Sequence, residues 1–202
     1  MKKIFLTWVF LGLFFYMGGF ANAAPVTLNF DDLPAPGNAS PVPNGYGGMN
    51  WYNMEYMQHD SQPGTGYDKG MFSPESVASN GWGLPALVSS ADGGEFDFLS
   101  AYLTSAYQED LKVAVAGLRD GDFITLQFVD VNNDVPTKFD FNFLNVDTLI
   151  MVSFNNSGLG PGYQFVIDDF TYDSRAVPIP ETLLLFGSGV IVLLGIRRRF
   201  KM

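Results

Sequence analysis

"YQFVIDDFTYD", residues 163–173, carries two hydrophobic phases in one extended run. Side chains alternate between the faces of a strand, so Tyr163, Phe165 and Ile167 fall on one face, while Phe170 and Tyr172 fall on the other. The phase slips at Asp168-Asp169. A β-bulge there returns both sets to one core and turns an Asp outward.

The same period of two recurs upstream. Val26, Leu28 and Phe30 alternate with polar residues. Phe96, Phe98 and Tyr102 are expected on one face of "EFDFLSAYLTSAY", and Leu111, Val113 and Val115 on one face of "LKVAVAGL". Asp120-Gly121 is a tight-turn pair leading into "FITLQFVDV". Phe139, Phe141 and Phe143 alternate in "KFDFNF", and "DTLIMVSF" follows. Between residues 34 and 94 lie seven of the twelve prolines and eleven of the twenty-two glycines, which permits only short strands. No stretch of the central region has a helical period. The fold class is all-β, an antiparallel β-sandwich of jelly-roll type.

The ends read differently. Lys2 and Lys3, an apolar run over residues 4–20 and the small residues Ala21-Asn22-Ala23 form a signal peptide over residues 1–23, cut after Ala23. At the other end, Val177-Pro178-Ile179-Pro180-Glu181 precedes fifteen uncharged residues, 182–196, and then Arg197, Arg198, Arg199 and Lys201. As a helix the run reaches ~22 Å against a ~30 Å hydrocarbon core, and the basic cluster compensates by snorkelling and by holding that end in the cytoplasm. Residues 177–202 therefore read as a tail with a transmembrane helix, leaving 24–176 as the exported β-sandwich domain.

This tail resembles the PEP-CTERM sorting signal of exported bacterial proteins, in the variant where Glu follows the second Pro. The resemblance implies an exosortase as partner, an inner-membrane intermediate, and a final place at the cell surface or in an extracellular matrix rich in polysaccharide. The body, through "LNFDDLP", "NGYGGMNW", "SAYLTSAY" and "FVIDDFTYD", resembles the β-sandwich domains that accompany such tails. More loosely it is similar to jelly-roll carbohydrate-binding modules, which implies a structural Ca²⁺ between terminal strands.

Charge and missing chemistry narrow the function. Residues 24–176 hold twenty Asp and Glu against five Lys and Arg, a net charge of −15, which repels nucleic acid and anionic lipid. The absence of cysteine excludes disulfides and thiolate chemistry. No G-x-S-x-G elbow or phosphate loop occurs, and His59 is the one histidine. Asp130, Asn132 and Asp134 imitate an EF-hand start, but Val135 replaces its Gly, so a polar turn is expected.

Two candidate sites remain. Asp31 and Asp32 follow the first strand and Asp168 and Asp169 interrupt the last; if those strands are neighbours, the four carboxylates converge and suit Ca²⁺. The aromatic-rich segment from 46 to 82 is the expected ligand surface, with Trp51 buried and with Trp82 and Tyr67 as a platform for stacking sugar rings. The expected function is non-catalytic glycan binding by an exported protein. A purely structural matrix protein is the alternative, and a glycoside-active enzyme using Glu75 and Glu95 is a third reading.

Overall fold

The computed structural model describes residues 24–34 and 38–174. The signal peptide read over residues 1–23 and the tail with its transmembrane helix over 177–202 lie outside the described residues; among the described residues, no helix is long and apolar enough to cross a membrane.

Twelve strands form two antiparallel sheets. They are β1 (Val26–Leu28), β2 (Ser40–Pro41), β3 (Met49–Tyr52), β4 (Met54–Gln58), β5 (Ser76–Asn80), β6 (Ala86–Ser90), β7 (Phe96–Ser105), β8 (Leu111–Arg119), β9 (Asp122–Val131), β10 (Thr137–Val146), β11 (Thr148–Phe154) and β12 (Phe165–Ser174). One sheet has the order β10-β7-β12-β5-β4-β2, with β1 also paired to β12. The other runs β3-β6-β11-β8-β9. The strands between residues 40 and 90 have five residues or fewer, as the Gly and Pro density demands. A single helical turn, α1 (Gly66–Lys69), completes the set.

The bulge in the last strand is present. Asp169 has φ +49, and the β12–β7 register shifts between Asp168 and Thr171. Phe165, Ile167, Phe170 and Tyr172 all reach the core as a result. First and last strands are neighbours, with Val26 opposite Tyr172 and Leu28 opposite Phe170. The Asp120-Gly121 turn has φ of +53 and +85, the two left-handed residues that a type I′ hairpin needs.

One face assignment is corrected. Phe96 and Phe98 point into the core, but Tyr102 points out and stacks on Phe72 at 3.7 Å, while Ala101 and Leu103 take the core positions. The reason is a second slip: β7 loses step with both β10 and β12 just after Phe98. Strict alternation across ten residues carried Tyr102 to the wrong side.

Aromatic rings bridge the two sheets. Phe98 stacks between Phe141 (4.8 Å) and Phe170 (4.7 Å), Phe170 meets Trp51 edge-on at 5.4 Å, and Trp51 meets Phe30 at 5.7 Å. Trp51 is buried, and its indole N–H donates to the Tyr46 carbonyl at 3.0 Å. Offset and edge-to-face rings each add about 0.5–1.5 kcal/mol beyond the area they bury. Phe98→Ala is expected to cost about 3–5 kcal/mol of unfolding free energy in urea titration, because it opens a cavity that two stacked rings cannot collapse into. A loss below ~1 kcal/mol would show that the stack along the larger sheet does not hold its core face together.

Candidate functional site

The two outer faces of the sandwich differ. The outer face of the larger sheet is covered by a strap, residues 59–76, which buries a small second core of Met57, Tyr67, Val77, Ala106 and Val166. The strap lies close enough that a Cβ on Gly66 would fall 1.7 Å from the Ser105 carbonyl oxygen, so its backbone touches β7 directly. His59 and Asp68 close its base at 3.3 Å.

Carboxylates anchor the far end of the strap. Asp168 is fully buried and accepts four hydrogen bonds: the Phe72 and Ser73 N–H groups on Oδ2 at 2.8 Å each, and the Ser73 hydroxyl (3.0 Å) and Asp169 N–H (2.7 Å) on Oδ1. Asp31 Oδ1 accepts the Glu75 N–H and, at 2.7 Å, the Ser76 N–H. Asp32 takes the Tyr46 hydroxyl at 2.7 Å, which in turn accepts the Phe30 N–H at 3.1 Å. Burial and the Asp32 charge push the Tyr46 phenol well above its usual range.

Three of the four carboxylates read as a Ca²⁺ site, Asp31, Asp32 and Asp168, accept hydrogen bonds from neighbouring groups. The pairing of first and last strands brings Asp31 close enough to Asp169 for its charge to act there. Yet both oxygens of Asp168 already have their lone pairs taken by four donors, and Ca²⁺ wants six to eight free oxygens. Among the described residues, no group of three or more His, Cys, Asp or Glu is placed to hold a metal. Hydrogen-bond donors surround the Asp31 and Asp168 carboxylates.

Burial pushes the Asp168 carboxyl up from 3.8 to about 6, against the lowering effect of its four donors. Burial also raises Asp169; there the Asp31 charge adds to the rise and Lys138 opposes it. A raised carboxyl binds its proton more tightly in the folded chain than in the unfolded one, so its contribution is fully present below pH ~4 and lost as pH rises through about 6. Asp168→Asn, which turns an amide N–H₂ toward backbone donors, is expected to cost about 2–4 kcal/mol at pH 7. In urea unfolding the gap between wild type and variant should widen at pH 4.5, by up to ~3 kcal/mol for a shift of two units. A gap that narrows on acidification would mean that the donors outweigh burial.

The sugar-stacking pair is also corrected. Tyr67 is buried in the second core, edge-on to Tyr107 at 5.8 Å, and offers no surface. Trp82 is 67% exposed, on a turn (Gly81–Gly83) where it holds φ +56, uncommon for a bulky residue. Asn53 fixes that turn through its side-chain amide, which donates to the carbonyls of Gly81, Leu84 and Pro85 at 3.1–3.2 Å. Trp82 and Tyr67 therefore do not form one platform.

The other readings resolve as follows. Glu95 faces Arg119 at 4.0 Å and Glu75 lies beside the Asp31 clamp, so each is held in a separate local contact. Asn132 Oδ1 accepts the N–H of Asp134 (2.9 Å) and Val135 (3.2 Å), an Asx turn in place of a metal loop.

The open surface is the outer face of the smaller sheet. Tyr52, Leu87, Ile150, Ala116 and Leu126 are opposite one another in a single row across all five strands. A groove of about 360 Å³ lies at the β3 end, lined by Asn44, Asn50, Trp51, Tyr52, Leu87, Ser89 and Thr148. Tyr52 is 69% exposed, with amides and hydroxyls around it. Alternation in "GGMNWYNM" already placed Tyr52 opposite Trp51; only the fold shows which neighbours make it a wall. Every Lys and Arg among the described residues is ion-paired: Lys69 with Asp134, Lys112 with Asp130, Arg119 with Glu95 and Lys138 with Asp140.

No family model matches the chain, and no curated protein sequence matches it. Solved structures give distant likenesses. An arabinose-bound MgGH51 α-L-arabinofuranosidase is 9% identical over 77% of this chain and 27% of its own length, at TM-score 0.49. The CBM22-1–CBM22-2 tandem domain of Paenibacillus barcinonensis Xyn10C is 13% identical over 81% of this chain and 48% of its own, at 0.43. TmCBM61 in complex with β-1,4-galactotriose is 11% identical over 66% of this chain and 95% of its own, at 0.34. The chain thus spans about a quarter of the arabinofuranosidase and half of the tandem domain.

Proposed function

We propose that this is an exported, non-catalytic β-sandwich of jelly-roll type that binds a neutral polysaccharide on the open face of its smaller sheet. The Tyr52 groove carries the reading. An exposed aromatic ring stacks on the apolar face of a sugar, and the Asn50, Ser89 and Thr148 side chains around it can exchange hydrogen bonds with hydroxyls. Neutrality of the ligand follows from charge: the domain is strongly acidic, and each described cation is already paired, so none is left to meet a uronate or sulfate. Trp82 offers a second ring, at a separate turn.

The ends of the chain supply the route in this proposal. Residues 1–23 direct export, and the Val177–Glu181 motif, the apolar run and Arg197–Arg199 direct sorting by an exosortase at the inner membrane. The destination is the cell surface or the extracellular matrix. Mass spectrometry of the exported species should find a chain that begins at Ala24 and has lost the segment beyond residues 178–181. Recovery only of protein ending at Met202, from cells with a working sorting enzyme, would contradict the sorting half.

Binding is tested by retention on a panel of insoluble neutral polysaccharides and uronate-rich ones. Wild type should be held by at least one neutral polymer and by no uronate polymer. Tyr52→Ala should weaken retention about tenfold or more, equivalent to ~1.4 kcal/mol, while changing stability by less than ~0.5 kcal/mol. Trp82→Ala, measured alongside, should be equally benign to folding. Wild type that binds no polysaccharide would defeat the reading and leave a purely structural role.

A further inference from the structure

A sheet edge presents unpaired N–H and C=O groups, and proteins ordinarily blunt such edges. In this sandwich most edges are blunted. β2 is two residues long and ends in Pro41, and β1 is three residues long. β3 is closed by its own preceding loop, where Asn44 Oδ1 accepts the Trp51 N–H at 2.8 Å and the Gly45 N–H donates to the Met49 carbonyl at 2.8 Å. β10 is broken by two register shifts, with Asn142 and Asn145 at φ +51 and +57, and it carries Lys138.

β9 has one of these devices only at its start, where its register against β8 shifts between Phe123 and Thr125. It has ten residues and pairs only with β8, in one register from Thr125 to Val131. It contains no Pro, Gly, Lys or Arg, and residues 123–129 are uncharged. Leu126 and Phe128 are 53% and 60% exposed on its outer side, where the apolar row that begins at Tyr52 ends.

We infer that β9 is a self-association edge, where two copies of this chain pair β9 to β9′ antiparallel about a two-fold axis at Phe128. The occupant follows from charge and symmetry. Two strongly acidic domains can approach only along an uncharged stretch, and residues 123–129 provide one. A two-fold at Phe128 sets the regular run Thr125–Val131 against itself, with Phe128 facing Phe128′ and Leu126 facing Asp130′. Within that run no Asp faces an Asp, and Asp130 remains paired with Lys112 of its own strand pair. The two five-stranded sheets become one of ten strands, and their apolar rows run on across the axis.

Because the chain has no cysteine, a single introduced thiol can form a disulfide only between copies. Directly opposed residues of neighbouring strands lie ~4.5–5.5 Å apart, within reach of a disulfide. Phe128→Cys in the full-length chain in mild detergent should give a reductant-sensitive dimer on a non-reducing gel. Leu144→Cys, equally exposed but on the blunted β10, should remain monomeric. Leu126→Asp added to Phe128→Cys should suppress the dimer by placing two carboxylates face to face, while Leu126→Lys should preserve it. Cross-linking no greater than that of Leu144→Cys, or equal effects of Leu126→Asp and Leu126→Lys, would overturn the inference.

Discussion

The bulge at Asp168-Asp169 is the constraint on which the rest of the molecule depends. β12 is the most connected strand of the larger sheet, with β7, β5 and β1 as partners. A regular strand of this sequence would bury either Phe165 and Ile167 or Phe170 and Tyr172, and expose the other pair. Inserting one left-handed residue buries all four, and burial of each such side chain is worth about 1.5–3 kcal/mol. Asp168, just before the insertion, keeps the phase of Val166 and faces the strap with both oxygens available. Four donors from the strap and from Asp169 then settle on it, so the core and the covering of one sheet face share a single backbone device.

That device makes the sandwich two-sided. The larger sheet is closed by residues 59–76 and gains a second small core, while the smaller sheet keeps exposed rings and aliphatic side chains across five strands. A purely packing-driven surface would place charge there, since the chain has acid to spare. Instead, β3, β6 and β11 carry no charged residue, and Asp130 on β9 is paired with Lys112 on β8. A row that is apolar, flanked by amides and hydroxyls at one end and by an unblunted edge at the other, suits a long neutral polymer and a second copy of the same chain. Multiple copies side by side would raise avidity for such a polymer without any new contact.

Much of this was legible from local patterns. The bulge, the Asp120-Gly121 hairpin, the buried Trp51 and the adjacency of first and last strands follow from alternation, turn chemistry and strand pairing. Tyr102 was misplaced because a second bulge, after Phe98, leaves no composition signal. Tyr67 and Trp82 both lie in a Gly-rich aromatic stretch, and only the strap's path decides that one ring is sealed and the other exposed. A sequence shows Asp31, Asp32, Asp168 and Asp169 converging but not the N–H groups of Phe72, Ser73 and Ser76 that meet two of them. Tyr52 was visible as the neighbour of Trp51, yet its partners Leu87, Ser89 and Thr148 come from strands far away in the chain.

The central claim is that one face is sealed and the other is the working surface. Hydroxyl-radical footprinting with and without a retained neutral polysaccharide tests it most directly, because it reads side chains on both faces in one experiment. Tyr52, Leu87 and Thr148 should be labelled in the free protein and protected on binding, while Tyr67 and Met57 under the strap should stay unlabelled throughout. Protection confined to the strap side, or labelling of Tyr52 that does not change when polymer binds, would contradict it.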